Sequence, residues 1–260
     1  MSLQLDAVPS GLWAAWAGVL GLAAGSFFTV AVYRWPREQS LVRPRSHCTA
    51  CGRTLRPLEL VPVLSWLLQR GRCRGCGTAI SWRYPAIELA SGAVACAAAL
   101  TFGPTLRGLA ALVLVLTLVP VVVIDLEHKL IPDVIVLPAA AVGLGLAVAA
   151  GPERWWVPVT AALGAALFLL LLSLIYPGGM GLGDVKLALV LGAVLGASVV
   201  PALAVAFAAG ALLGAVLLVR LGRSARTMAI PFGPFLAAGA LVALWFGPAL
   251  LDWYADRISP

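Results

Sequence analysis

Long apolar runs, broken by short polar or glycine-rich stretches, divide most of this chain. Eight such runs lie near residues 11–33, 86–102, 107–124, 134–150, 157–176, 185–199, 201–219 and 233–251. Most approach the ~20 residues that a helix needs to cross the hydrocarbon of a bilayer. They show no alternation of the strand kind, and the polar breaks between them are too short to house a soluble domain, except one. The pattern predicts an all-α polytopic membrane protein of about eight transmembrane helices. Pro120, Pro138 and Pro158 are expected to kink or cap their helices. The pairs Gly21/Gly25, Gly192/Gly196 and Gly210/Gly214 have the spacing that lets helices approach closely in lipid.

Composition agrees: 62% of the 260 residues are hydrophobic and 11% charged, too little polar surface for a water-soluble domain. The first run lacks the basic flank of a secretory signal and is long for one, so it reads as a retained span. Three regions follow: 1–33, the first span; 34–85, the one long polar loop; and 86–260, a core of about seven helices.

Charge fixes an expected direction. Ten arginines lie in residues 34–85. If that loop is cytoplasmic, eight spans put 125–133, 177–184 and 220–232 on the same side. Fifteen of the eighteen basic residues are then cytoplasmic, leaving Arg107, Arg154 and Arg257 outside. This is the asymmetry of the positive-inside rule, and it makes both termini external. The net charge of +7 needs no nucleic acid, since the arginines are dispersed rather than interleaved with aromatics on a binding module. Anionic lipid is their expected counterpart.

The loop holds "CTAC" (Cys48, Cys51) and "CRGC" (Cys73, Cys76). Two such pairs match a structural zinc site in which Gly52, Gly75 and Gly77 help the turns and four thiolates close the shell. A cytoplasmic loop argues against disulfides. His47 is expected to be a surface residue, and Cys96, alone in an apolar run, to pack.

Acids at the membrane edge are costly and therefore point to chemistry. Asp125 ends the third run, and Asp184, in "GMGLGDVKL", begins the sixth from the same side. Topology thus sets two remote carboxyls at one depth. Asp184 could instead be a helix N-cap, and Asp133 fits that reading better; Lys129 and Lys186 could snorkel or pair with acids. Two carboxylates ~3 Å apart share one proton, so one acts as base and the other as acid on a peptide bond. Gly179, Gly181 and Gly183, with Gly178, would leave room for an extended substrate beside Asp184. There is no HExxH for a metalloprotease and no G-x-S-x-G elbow for a serine hydrolase. A proton- or solute-coupled transporter would use the same acids and glycine-broken helices, and a zinc-bearing scaffold is a non-enzymatic alternative.

Five segments in order resemble the type IV prepilin peptidases, also called prepilin leader peptidase/N-methyltransferases. "GLAAGSFFTVAVYRWP" resembles the opening span of that family. The stretch from Cys48 to Leu89, with "PVLSW", "RGRCRGC" and "YPAIEL", is similar to its cysteine loop. "DLEHKLIPD" and "GMGLGDVKL" are similar to its aspartate motifs, and "IPFGPFLAAG" to its last. The resemblance implies a GxGD-type aspartic protease of the bacterial inner membrane with Asp125 and Asp184 as its catalytic pair. Its substrates would be prepilins and type II secretion pseudopilins, cleaved at the cytoplasmic face. It also implies N-methylation of the product with S-adenosylmethionine, for which no site residue is assigned. The chain departs from the family pattern at Thr29, Glu127 and Gly178.

Overall fold

The structure is a computed structural model that describes residues 9–176, 179–222, 224 and 228–258. Gly178, Arg223 and Arg226 lie outside the described residues, as do both chain ends. The described chain is helical, with no strand beyond two isolated bridges in the cysteine loop. Its contacts divide it into two compact units, one ending at Gly108 and the other starting at Leu109.

The first unit contains α1 (Ser10–Arg34), the short α2 (Leu64–Leu68) and α3 (Arg83–Phe102). Small residues set the distance between α1 and α3. A Cβ on Gly21 would stand 2.5 Å from the Ser91 carbonyl oxygen, and one on Gly25 would stand 2.7 Å from the Glu88 Cα. Removing side chains from this seam lets the backbones meet, as expected for helices in lipid. Cys96 packs in the same seam against Gly18.

The second unit holds α4 (Leu106–His128, from Leu109), α5 (Asp133–Ala150), α6 (Trp156–Ile175), α7 (Leu182–Leu195), α8 (Val199–Leu221) and α9 (Gly233–Ile258). Its core is built from Leu114, Leu118, Val121, Leu169, Leu187 and Leu236, among others, all fully or nearly fully buried. Gly192 lets α7 lie on Ala161 and Ala162 of α6, and Gly239 lets α9 lie on Ala202 of α8. Gly210 and Gly214 do not form the close seam expected of them. A Cβ on Gly210 would only brush Phe232 at 3.4 Å, and one on Gly214 would meet nothing within 4 Å. The reason is geometric: Gly210 is level with the start of α9, so the rest of α8 runs on past its neighbour. Pro120 and Pro138 lie inside α4 and α5, and Pro158 lies in the first turn of α6.

The eight apolar runs correspond to eight long helices. Among the described residues, seven helical stretches are long and apolar enough to cross a membrane, because α7, a 3-10 turn and α8 form one 40-residue stretch. Within it Gly196 adopts φ +56°, and α8 then runs antiparallel to α9. At 14 residues, α7 is about 21 Å long, short of the ~30 Å hydrocarbon core.

Candidate functional site

Each candidate carboxylate sits near a helix end and accepts a backbone N–H at a helix start, Asp125 from another helix and Asp184 from the cap of its own. Asp125 lies one turn before the end of α4, buried. Its Oδ2 accepts a hydrogen bond from the Gly233 backbone N–H at 2.8 Å. Gly233 opens α9, so the free N–H groups and positive dipole end of that helix face the carboxylate. A Cβ at position 233 would lie 2.7 Å from Oδ2, so any side chain there would have to displace the carboxylate or the start of α9. Sequence reasoning missed Gly233. The available signal was the Gly-Pro step of "IPFGPF", which marks a helix start behind an aromatic clamp.

Asp184 is the third residue of α7 and is also buried. It is not the N-cap, a position taken by Gly181. Its Oδ2 reaches back to accept the Gly181 N–H at 3.1 Å, which is half of a capping box. Its Oδ1 is buried and has no hydrogen-bond partner. An unsatisfied buried carboxylate oxygen is expensive unless a proton, a water or a ligand meets it.

The glycines around Asp184 differ in kind. The space beside Gly183 is filled, since a Cβ there would sit 2.8 Å from Ile131 Cβ. Gly183 thus lets α7 close on the α4–α5 turn, which brings the two aspartate segments together. A Cβ on Gly181 would meet nothing nearer than 3.7 Å, and one on Gly179 would meet Tyr176 at 3.3 Å. Asp133 is not an N-cap either. Pro132 holds that position, and Asp133 instead accepts two hydrogen bonds from Lys186 Nζ, at 2.7 and 2.8 Å, tying α5 to α7.

The cysteine loop is a second cluster. The Sγ atoms of Cys48, Cys51, Cys73 and Cys76 all lie within 4.8 Å of one another, and Cys48 and Cys76 are 3.9 Å apart. A tetrahedral site with ~2.3 Å metal–sulfur bonds has sulfur–sulfur edges of about 3.8 Å, so the four thiols could hold a metal ion. The two halves repeat one another. Cys48 N–H bonds Arg53 O and Gly52 N–H bonds Cys48 O; likewise Cys73 N–H bonds Thr78 O and Gly77 N–H bonds Cys73 O. Gly52 and Gly77 close the turns at φ +71° and +72°. Backbone N–H groups of Cys76 and Gly75 bring the Cys73 thiol down to about 6. His47 is exposed and bonds the Arg45 carbonyl, outside the cluster. Arg53 pairs with Glu59 at 2.6 Å beneath it.

A family model for the bacterial peptidase A24 N-terminal domain matches residues 19–102, and one for the type IV leader peptidase family matches residues 112–219. A prepilin leader peptidase/N-methyltransferase of Bacillus subtilis (strain 168) is 38% identical over 239 residues, covering 91% of this chain and 95% of that one. The chain belongs to the type IV leader peptidase family. Leader peptidase relatives of the same printed name from Burkholderia pseudomallei (strain 1026b) and Aeromonas hydrophila are 39% and 35% identical. They cover 93% and 91% of this chain, and 88% and 91% of their own. No solved structure matches the chain. The two family models meet between residues 102 and 112, where the two structural units divide, so this leader peptidase separates its cysteine loop and its aspartates into different units. Nothing in these relatives favours the transporter reading.

Proposed function

We propose that Asp125 and Asp184 are the catalytic pair of a membrane aspartic endopeptidase that removes the leader from prepilins. The carrying observation is the matched state of the two carboxylates. Both are buried, each has one oxygen fixed by a backbone N–H at a helix start, and Asp184 Oδ1 has no partner. Brought to within about 3 Å around a substrate, such a pair shares one proton. The ionised member takes a proton from water, which attacks the scissile carbonyl, while the protonated member donates to the carbonyl oxygen and later to the leaving amine. Gly179 and Gly181, which carry no side chain and face less crowded space than Gly183, form the approach for an extended substrate. Pseudopilins of similar layout are the second substrate class.

The names of the relatives support a further step, methylation of the new N-terminal amine with S-adenosylmethionine as methyl donor. The cysteine loop, residues 34–85, shares a unit with α1 and α3, and its four thiolates hold Zn2+. A shell closed by four thiolates leaves no position for a reacting water, so the metal is structural. The chain lies in the bacterial inner membrane with this loop cytoplasmic and both termini external, as its arginines require.

The test incubates the purified protein with a synthetic prepilin and labelled S-adenosylmethionine and measures product mass. Cleavage at the leader boundary plus one added methyl group is the expected result. Asp125→Asn and Asp184→Asn should each lower cleavage by about 10²–10⁴-fold with helicity unchanged. Undiminished cleavage by either variant overturns the assignment.

A further inference from the structure

The cysteine loop contains an apolar ridge that its own fold does not cover. α2 presents Leu64, Leu67 and Leu68, spaced i, i+3, i+4 on one face; Leu68 is 76% exposed. Leu58, in the preceding 3-10 turn Pro57–Glu59, is 81% exposed, and Trp82, just before α3, is 74% exposed. The opposite face of α2 is occupied. Trp66 donates its indole N–H to the Ile80 carbonyl at 3.1 Å and covers Gly71. The leucines therefore face away from the metal-binding half of the loop.

The ridge is tied to the first turns of α3. The Val63 N–H, at the start of α2, donates to Glu88 Oε2 at 2.7 Å. Glu88 is the sixth residue of α3, and helical side chains lean toward the N-terminus. α2 thus sits within the first two turns of a 20-residue helix, whose length of about 30 Å matches the hydrocarbon core. Val63 holds φ +60°, ψ −51°, the strained positive-φ form of the γ-turn, which a β-branched residue adopts only when its surroundings impose it. The exposed charge beside the ridge is basic: Arg56, Arg70, Arg72 and Arg74 are exposed on the segments flanking α2, while the two acids there, Glu59 and Glu88, are buried.

We propose that α2 and its flanking turn are an interfacial membrane anchor. The leucines and Trp82 enter the headgroup boundary of the leaflet where α1 ends and α3 begins, and the arginines bind phosphates of anionic lipids. Apolar exposure, interfacial depth and a basic rim together are the signature of an interfacial amphipathic element. The anchor depends on neither the aspartates nor the peptidase reading.

Trypsin sensitivity of the full-length protein in nanodiscs tests it. Peptides released by cutting after Arg70 and Arg72 are followed by mass spectrometry, in phosphatidylcholine alone and with roughly 30% phosphatidylglycerol. Cleavage should be at least about tenfold slower in the anionic bilayer. A Leu64→Gln/Leu67→Gln/Leu68→Gln variant that keeps its metal content should lose most of that protection. If the variant loses its metal, the two-bilayer comparison of the unaltered chain decides alone. Equal cleavage in the two bilayers, or protection that the metal-loaded variant retains, overturns the proposal. Protection seen only after adding an apolar helical peptide, in either bilayer, also overturns it and assigns the ridge to a protein partner.

Discussion

At the residue scale, the geometry of Asp125 rests on one missing methyl. A Gly233→Ala side chain would press on Oδ2 from 2.7 Å and force the carboxylate or the α9 start to move. A displacement of about 1 Å at a reacting group costs roughly 10²-fold in rate. Gly233→Ala should therefore lose most of its prepilin cleavage while retaining its helical circular dichroism; cleavage within about threefold of the parent would contradict this. Glu59 gives a pH prediction. The Arg53 guanidinium, and next the Arg56 N–H, hold its carboxyl below the ordinary 4.5. The folded loop therefore binds fewer protons than the unfolded one. Stability from this group is fully present above its unfolded value and is lost as pH falls through its folded value. A Glu59→Gln variant should exchange the amide hydrogens of this loop faster than the parent near pH 7, with the difference shrinking as pH falls below the ordinary 4.5.

At the element scale, the sequence made the helices legible because a membrane requires long, continuous apolar runs, and the aspartates stood out against them. Their shared end of the bundle followed from counting spans. Three things were hidden. α2 is five residues long, too short for periodicity to register, although its leucine spacing was visible. Gly210 and Gly214 had the spacing of a packing seam, but spacing does not say whether a neighbour extends far enough to fill it. Asp133 looked like a cap because it follows Pro132, and only the fold could bring Lys186 to it. The glycines that do pack are testable. Gly25→Val should destabilise the α1–α3 pair by about 1–3 kcal/mol or more, read as a lower midpoint of thermal unfolding in detergent. Gly214→Val should change it by less than about 0.5 kcal/mol.

At the scale of the whole molecule, the two units carry different dependencies. Stripping the proposed metal from the cysteine loop should release its two short turns, since so small a fold has little core of its own. The aspartate unit has a continuous apolar core that owes nothing to those thiols. Chelation should therefore raise trypsin cleavage within residues 34–85 while leaving most helical circular dichroism in place. Global loss of helicity on chelation would show that the units do not stand separately.

The bond between Gly233 and Asp125 spans 108 positions of sequence. A nascent chain emerging at about 5–20 residues per second exposes Asp125 many seconds before α9 exists. Until α9 has been made, the first acid lacks its clamp. On the proposed pairing of Asp125 with Asp184, a copy stopped before Gly233 lacks the clamp that sets the first carboxylate and should cleave no prepilin.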